Sequence, residues 1–163
     1  MGDRKMSEAY LSLGSNMGDR LDNLARAVAL LDRQDGSVTV VQVSPVFETK
    51  PVGYKEQDDF LNICVKVETT LEPLSLLSFC NRIEEALHRE RKIRFGPRTI
   101  DVDILTYDDL QMTTQRLTIP HPRMKERAFV QVPLLYMNGA NKVPEEWAEE
   151  VRFYGVLPKV AVE

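Results

Sequence analysis

The chain has 163 residues, 43% hydrophobic and 28% charged, a composition that fits one globular domain and excludes a disordered or low-complexity protein. Its net charge of −4 argues against an extended nucleic-acid or membrane-binding surface and favours small ligands. Cys64 and Cys80 are the only cysteines; their spacing suits neither zinc nor redox chemistry, and no run is long and apolar enough to span a membrane. The expectation is a cytoplasmic protein with two buried thiols.

Residues 1–7 are polar and are expected to be flexible, with a single domain over 8–163. Ala9 to Leu13 reads as a strand ending at the turn Gly14-Ser15-Asn16-Met17-Gly18-Asp19. Leu21, Leu24, Val28 and Leu31 then recur at helical spacing up to Gly36. The turn lacks both phosphate-binding glycine patterns and is expected to be structural. Val38 to Val43 is β-branched, and Val46 to Thr49 resumes the strand beyond Pro45, which places a break at an edge or bulge. A polar loop, 50–59, follows and suits a lid or pocket rim.

Phe60 to Val67 alternates. Leu61, Ile63, Val65 and Val67 share one face, and Phe60, Asn62, Cys64 and Lys66 the other. An aromatic and an amide on one face can stack and hydrogen-bond a ligand, although packing explains such a pair as well. Pro73 opens a second helix with Leu76, Cys80, Ile83 and Leu87 as its apolar stripe.

That helix leads into the most polarised stretch of the chain. Arg89, Arg91, Lys92, Arg94 and Arg98 face a single acid, Glu90, and are followed by Asp101 and Asp103. Ile100, Val102 and Ile104 alternate with the two acids, so both carboxylates share one strand face. Asp is disfavoured in strands. A solvated face would explain the acids alone, but the adjoining cationic loop, joined by Gly96-Pro97, suggests a site for metal-bound polyphosphate. Mg²⁺ is typically held by one or two carboxylates plus substrate phosphates, and arginines are fork-shaped donors to the same phosphates.

Beyond the acids come a turn at Tyr107-Asp108-Asp109, a short apolar piece around Leu117 to Ile119, and Pro120-His121-Pro122-Arg123-Met124. Met124 to Val132 has helical character checked by Pro133, and the remainder is acidic and weakly patterned. The element order predicts an α+β fold: one ferredoxin-like βαββαβ domain, helices on one face of a mainly antiparallel sheet, plus a C-terminal extension. Phe60, Asn62, Asp101 and Asp103 would then gather on the opposite face.

The sequence resembles the 6-hydroxymethyl-7,8-dihydropterin pyrophosphokinase family of folate synthesis, which moves pyrophosphate from ATP to a pterin alcohol. The resemblance lies in Leu13-Gly14-Ser15-Asn16, Glu48 to Gly53, Asp59-Phe60-Leu61-Asn62, Arg94 to Leu105, Pro120 to Met124 and Arg127-Ala128-Phe129. It implies that Asp101 and Asp103 ligate two Mg²⁺ ions. It also implies catalytic roles for Arg89, Arg91 and Arg98, which would grip the triphosphate of the co-substrate ATP together with Ile104, Arg116, Thr118, His121 and Arg127. Thr49, Pro51, Val52, Gly53, Phe60, Asn62 and Phe129 would bind 6-hydroxymethyl-7,8-dihydropterin. Phe95 stands where many members have Trp, Pro122 where some have Tyr, and Asn81 where some have Gln. The family suggests a monomer.

Two other classes compete. An RNA-recognition module would stack bases on the same open face, but the two acids there would repel phosphates without a metal, and the aromatic motif of such modules is missing. A ligand-sensing domain would bind nucleotide without turnover, and Mg²⁺-dependent AMP release separates it from an enzyme.

Overall fold

The computed structural model describes residues 6–50, 57–87 and 99–158. Strand β1 (Ser7–Ser15) is the axis of the main sheet. It pairs antiparallel with β4 (Phe60–Thr69) on one side and with β5 (Asp101–Tyr107) on the other. β2 (Val38–Val43) and β3 (Val46–Thr49) both pair antiparallel with β4, as two halves of a strand interrupted at Ser44-Pro45. The break is bridged by side chain as well as backbone: Cys64 N donates to Ser44 Oγ at 2.9 Å. The polar start of the chain is structured earlier than expected, because Ser7 is already buried and in register with Thr69.

Helices α1 (Arg20–Leu31) and α2 (Pro73–Leu87) lie on one face of this sheet. Leu24, Ala27 and Leu31 of α1 and Leu76, Cys80 and Ile83 of α2 are buried there with Leu61, Ile63, Val65, Val67, Ile100, Val102 and Ile104. The alternation of β4 and β5 thus sorts apolar residues towards the two helices, as their period of two requires. Asp19 caps α1, its carboxylate accepting from Asp22 N at 3.1 Å. Asn23 Nδ2 donates to Ser15 Oγ and to the Met17 carbonyl, so the glycine-containing turn is tied by the protein's own side chains.

The expectation of helices on one face is corrected by α3 (Ala128–Met137), which packs on the other. Its sequence, AFVQVPLLYM, is apolar nearly all round, and a helix of that kind needs burial on more than one side. Ala128 and Val132 join Phe47 and Val151, while Val130 joins Cys64 and Leu105. Pro133 does not end this helix, which runs on to Met137. The backbone bond that proline lacks is outweighed by burial of Val130, Val132 and Pro133 itself.

The weakly patterned tail is also corrected. Strand β8 (Val151–Gly155) pairs antiparallel with β3 and extends the sheet to the order β5-β1-β4-β3-β8. It escaped notice because only Val151 of its five residues is buried, so an edge strand of this kind has no alternation to read. A small second sheet, β6 (Met112–Thr113) with β7 (Thr118–Ile119), closes the excursion between β5 and the segment that leads to α3. Among the described residues, no helix is long and apolar enough to cross a membrane.

Candidate active site

The face of the sheet opposite α1 and α2 carries the polar residues at one end. Gly14 of β1 is in register with Asn62 of β4 on one side and with Asp101 of β5 on the other. One step along, Ser12 stands between Cys64 and Asp103. Neighbouring strands lie roughly 4.8 Å apart, so the backbones of Asn62 and Asp101 are separated by about twice that. The amide and the acids therefore share one sheet face, with Gly14 between them. A glycine within a strand often marks such a close approach. Here a Cβ on Gly14 would lie 2.5 Å from Asn62 Oδ1 and 3.4 Å from Phe60 Cδ2.

Asn62 is buried, and its Nδ2 donates to Thr49 Oγ1 at 2.6 Å. Thr49, also buried, is in register with Phe60. Thr49, Phe60 and Asn62 thus form one patch at the ends of β3 and β4. Phe129 approaches from α3, packed against the cluster of Cys64, Leu105 and Val130. Arg127, the residue that caps α3, holds its guanidinium carbon 5.4 Å from the centroid of the Phe129 ring.

Asp103 is the electrostatic centre of the other half. Burial pushes its carboxyl above the ordinary carboxylate value, while the positive charge of His121 and of Arg127 pulls it back. His121 is brought there by the backbone: its N–H donates to the Leu105 carbonyl at 2.8 Å. Burial lowers the basicity of its imidazole, and the nearby Arg127 and Arg123 add to this against the opposing influence of Asp103. Nδ1 accepts from the Arg123 N–H at 3.2 Å, an arrangement that in the neutral form of the ring puts the proton on Nε2 as a donor.

Two carboxylates on one strand face, one of them desolvated, suit a hard divalent cation, and the residues present fit Mg²⁺, which they could hold together with phosphate oxygens. Arg116 on the segment before β7 donates from Nη2 to Ser78 Oγ on α2 at 3.3 Å. Thr118 is half-buried on β7. Ile104 is buried on the helix face, in register with Leu11. Pro51, Val52, Gly53, Arg89, Arg91 and Arg98, with the rest of the cationic loop, lie outside the described residues. Sequence reasoning passed over Gly14 as a site element, although a glycine inside an apolar strand is the signal that would have found it.

Paired acids beside a histidine and an arginine at the end of an antiparallel sheet are the equipment of a phosphate-transferring enzyme. The family model for 7,8-dihydro-6-hydroxymethylpterin-pyrophosphokinase matches residues 10–139, and the chain belongs to that family; it is a transferase of the pyrophosphokinase type. It is 51% identical over 126 residues to the 2-amino-4-hydroxy-6-hydroxymethyldihydropteridine pyrophosphokinase of Bacillus subtilis, covering 77% of this chain and 75% of that protein. It is 50% identical over 129 residues to the bifunctional protein FolKE of Lactococcus lactis, covering 79% of this chain but only 37% of that longer protein. A crystal structure of HPPK-DHPS from Plasmodium falciparum aligns with a TM-score of 0.65 at 17% identity, over 86% of this chain and 43% of that one. The last likeness concerns the fold alone.

Proposed function

We propose that this chain transfers the pyrophosphoryl group of ATP to the hydroxymethyl oxygen of 6-hydroxymethyl-7,8-dihydropterin and releases AMP, a step of folate synthesis. The observation that carries the reading is the register through Gly14, with Asn62 on one side and Asp101 on the other. It supports a pterin subsite and a metal-polyphosphate subsite meeting over one glycine. The strand order β5-β1-β4-β3 supports reading the core as a ferredoxin-like βαββαβ unit.

In this mechanism Phe60 and Phe129 stack on the two faces of the pterin ring, while Asn62 and the 49–53 segment read its hydrogen-bonding edge. Asp101 and Asp103 would hold two Mg²⁺ ions, whose charge would offset that of the polyphosphate and favour the ionised form of the attacking hydroxyl. Arg89, Arg91, Arg98, Arg116, Thr118 and Arg127 bind and orient the triphosphate, and the backbone at Ile104 borders it. His121 donates from Nε2. The pterin oxygen forms a bond to the β-phosphorus, the bond from that phosphorus to the bridging oxygen of the α-phosphate breaks, and the hydroxyl proton leaves to solvent. Such a reaction asks the protein mainly to position reactants and stabilise charge.

The test is AMP formation from ATP and Mg²⁺ with and without the pterin. Pterin-dependent AMP supports the reading. ADP as product, or nucleotide and pterin binding without turnover, overturns it.

A further inference from the structure

Behind the patch formed by Thr49, Phe60 and Asn62, on the helix side of the sheet, runs a chain of charges. Arg20, the first residue of α1, donates from Nη1 to Glu48 Oε2 at 2.8 Å and to the Asp59 carbonyl at 2.8 Å. Arg152 of β8 hydrogen-bonds the other oxygen of Glu48, its register partner on β3, and its Nη2 lies 3.6 Å from Asp59 Oδ2. Both the carbonyl and the carboxylate of Asp59 are therefore engaged. Just before it, Asn16 Nδ2 donates to Gln57 Oε1 at 2.8 Å and to the Asp58 carbonyl at 2.9 Å.

Asp59 immediately precedes Phe60, and Glu48 immediately precedes Thr49. Successive residues of a strand point to opposite faces, so a link from Glu48 to Asp59 restrains the neighbouring pair Thr49 and Phe60 without touching their ligand face. The Glu48 side chain is only 19% exposed and the Arg20 side chain 24%, against 58% for Arg152. Arg152 is the outer and more replaceable member. It also lies beyond residues 10–139, the span that matches the family.

We infer that Arg152 is a positioning residue for the pterin subsite: through Glu48 and Asp59, strand β8 sets the spacing between Thr49 and Phe60. This rests on the reading of those two residues as pterin-binding. It gives the C-terminal strand a part in substrate recognition, separate from the polyphosphate half of the site around Asp103 and His121.

The test is steady-state kinetics of the full chain carrying Arg152→Met, which keeps the aliphatic stem, Arg152→Lys, which keeps a charge, and Asp59→Asn, which leaves the Arg152–Glu48 contact in place. For Arg152→Met the expected result is a pterin KM raised about fivefold, the scale of a partly screened ion pair, with kcat and the KM for ATP within about twofold. Arg152→Lys recovers at least half of the loss, and Asp59→Asn shifts the pterin KM in the same direction. A pterin KM unchanged in a folded Arg152→Met protein, or kcat and both KM values moving together, overturns the inference. Should Arg152→Met not fold, an unchanged pterin KM in Asp59→Asn overturns it alone. Wild-type protein without pterin-dependent AMP release is a different failure, that of the functional reading itself.

Discussion

Gly14 and Asn62 face each other across the β1–β4 register, and a Cβ placed on Gly14 would intrude to 2.5 Å from Asn62 Oδ1. Asn62 cannot simply yield, because it is buried and its amide nitrogen is held by Thr49. Gly14→Ala is expected to destabilise the protein by about 1–3 kcal/mol, the usual range for overpacking, and to weaken pterin binding more than ATP binding. Thermal melts and separate titrations of the two ligands check both parts. A melting temperature equal to wild type would refute the close approach.

Thr49→Val keeps the volume but leaves the Asn62 Nδ2 donor without the acceptor it has at 2.6 Å. A buried donor stripped of its partner costs about 1–3 kcal/mol. The expected outcome is lower stability together with a raised pterin KM, since the amide is free to rotate away from its reading position. Thr49→Ser, which restores the hydroxyl, should recover most of the affinity.

Asp101→Ala and Asp103→Ala test the acidic half. Each is expected to reduce kcat by about a hundredfold or more, the scale seen when preorganised charge stabilisation is removed, with stacking of the pterin on Phe60 retained. Activity restored to near wild type by raising Mg²⁺ would show that neither acid is a required ligand.

The acid limb of stability should run through Glu48. Hydrogen bonding from Arg20, with a smaller part from Arg152, holds its carboxyl below the ordinary value of 4.5, against the opposing influence of burial. A depressed folded-state pKa contributes stability that is present above the unfolded value and is lost as pH falls through the folded one. Wild type should therefore melt higher than Glu48→Gln near pH 7, with the gap closing below about pH 4. A gap constant down to about pH 3 would show that packing, not charge, accounts for it.

The two thiols should be silent in the native protein. Cys64 is buried with its Sγ 3.7 Å from the Val130 carbonyl, and burial pushes its pKa far up. Cys80 is pushed up to about 12, chiefly by burial, with Glu84 and Asp103 adding to it. Since the thiolate is the reactive form, a thiol reagent should label both only as fast as the fold opens. Immediate labelling of either cysteine under native conditions would contradict this.

How much of this could be read without coordinates follows from the range of each signal. The alternation of β4 and β5 assigns every side chain to a face by period alone, and so the apolar sets of both strands meet α1 and α2. It likewise puts Asn62, Asp101 and Asp103 on the other side. The boundaries of β2, β3 and α2 coincide with expectation because β-branched runs, Pro45 and Pro73 act locally. Nothing local announced β8. With one buried residue among exposed Arg152, Phe153 and Tyr154, its strand state rests on pairing with β3.

The residues themselves carried the amphipathic faces, the polarised charge of 89–103 and the pairing of cations with acids on which the proposed metal-polyphosphate site rests, because period and charge are properties of neighbours along the chain. What lies opposite what depended on tertiary contact. Gly14 between Asn62 and Asp101, α3 on the face expected to be bare, and Arg152 meeting Glu48 across a sequence separation of 104 are all consequences of strand register and helix docking. Long-range pairing and burial decide them, and no short window of sequence contains both partners.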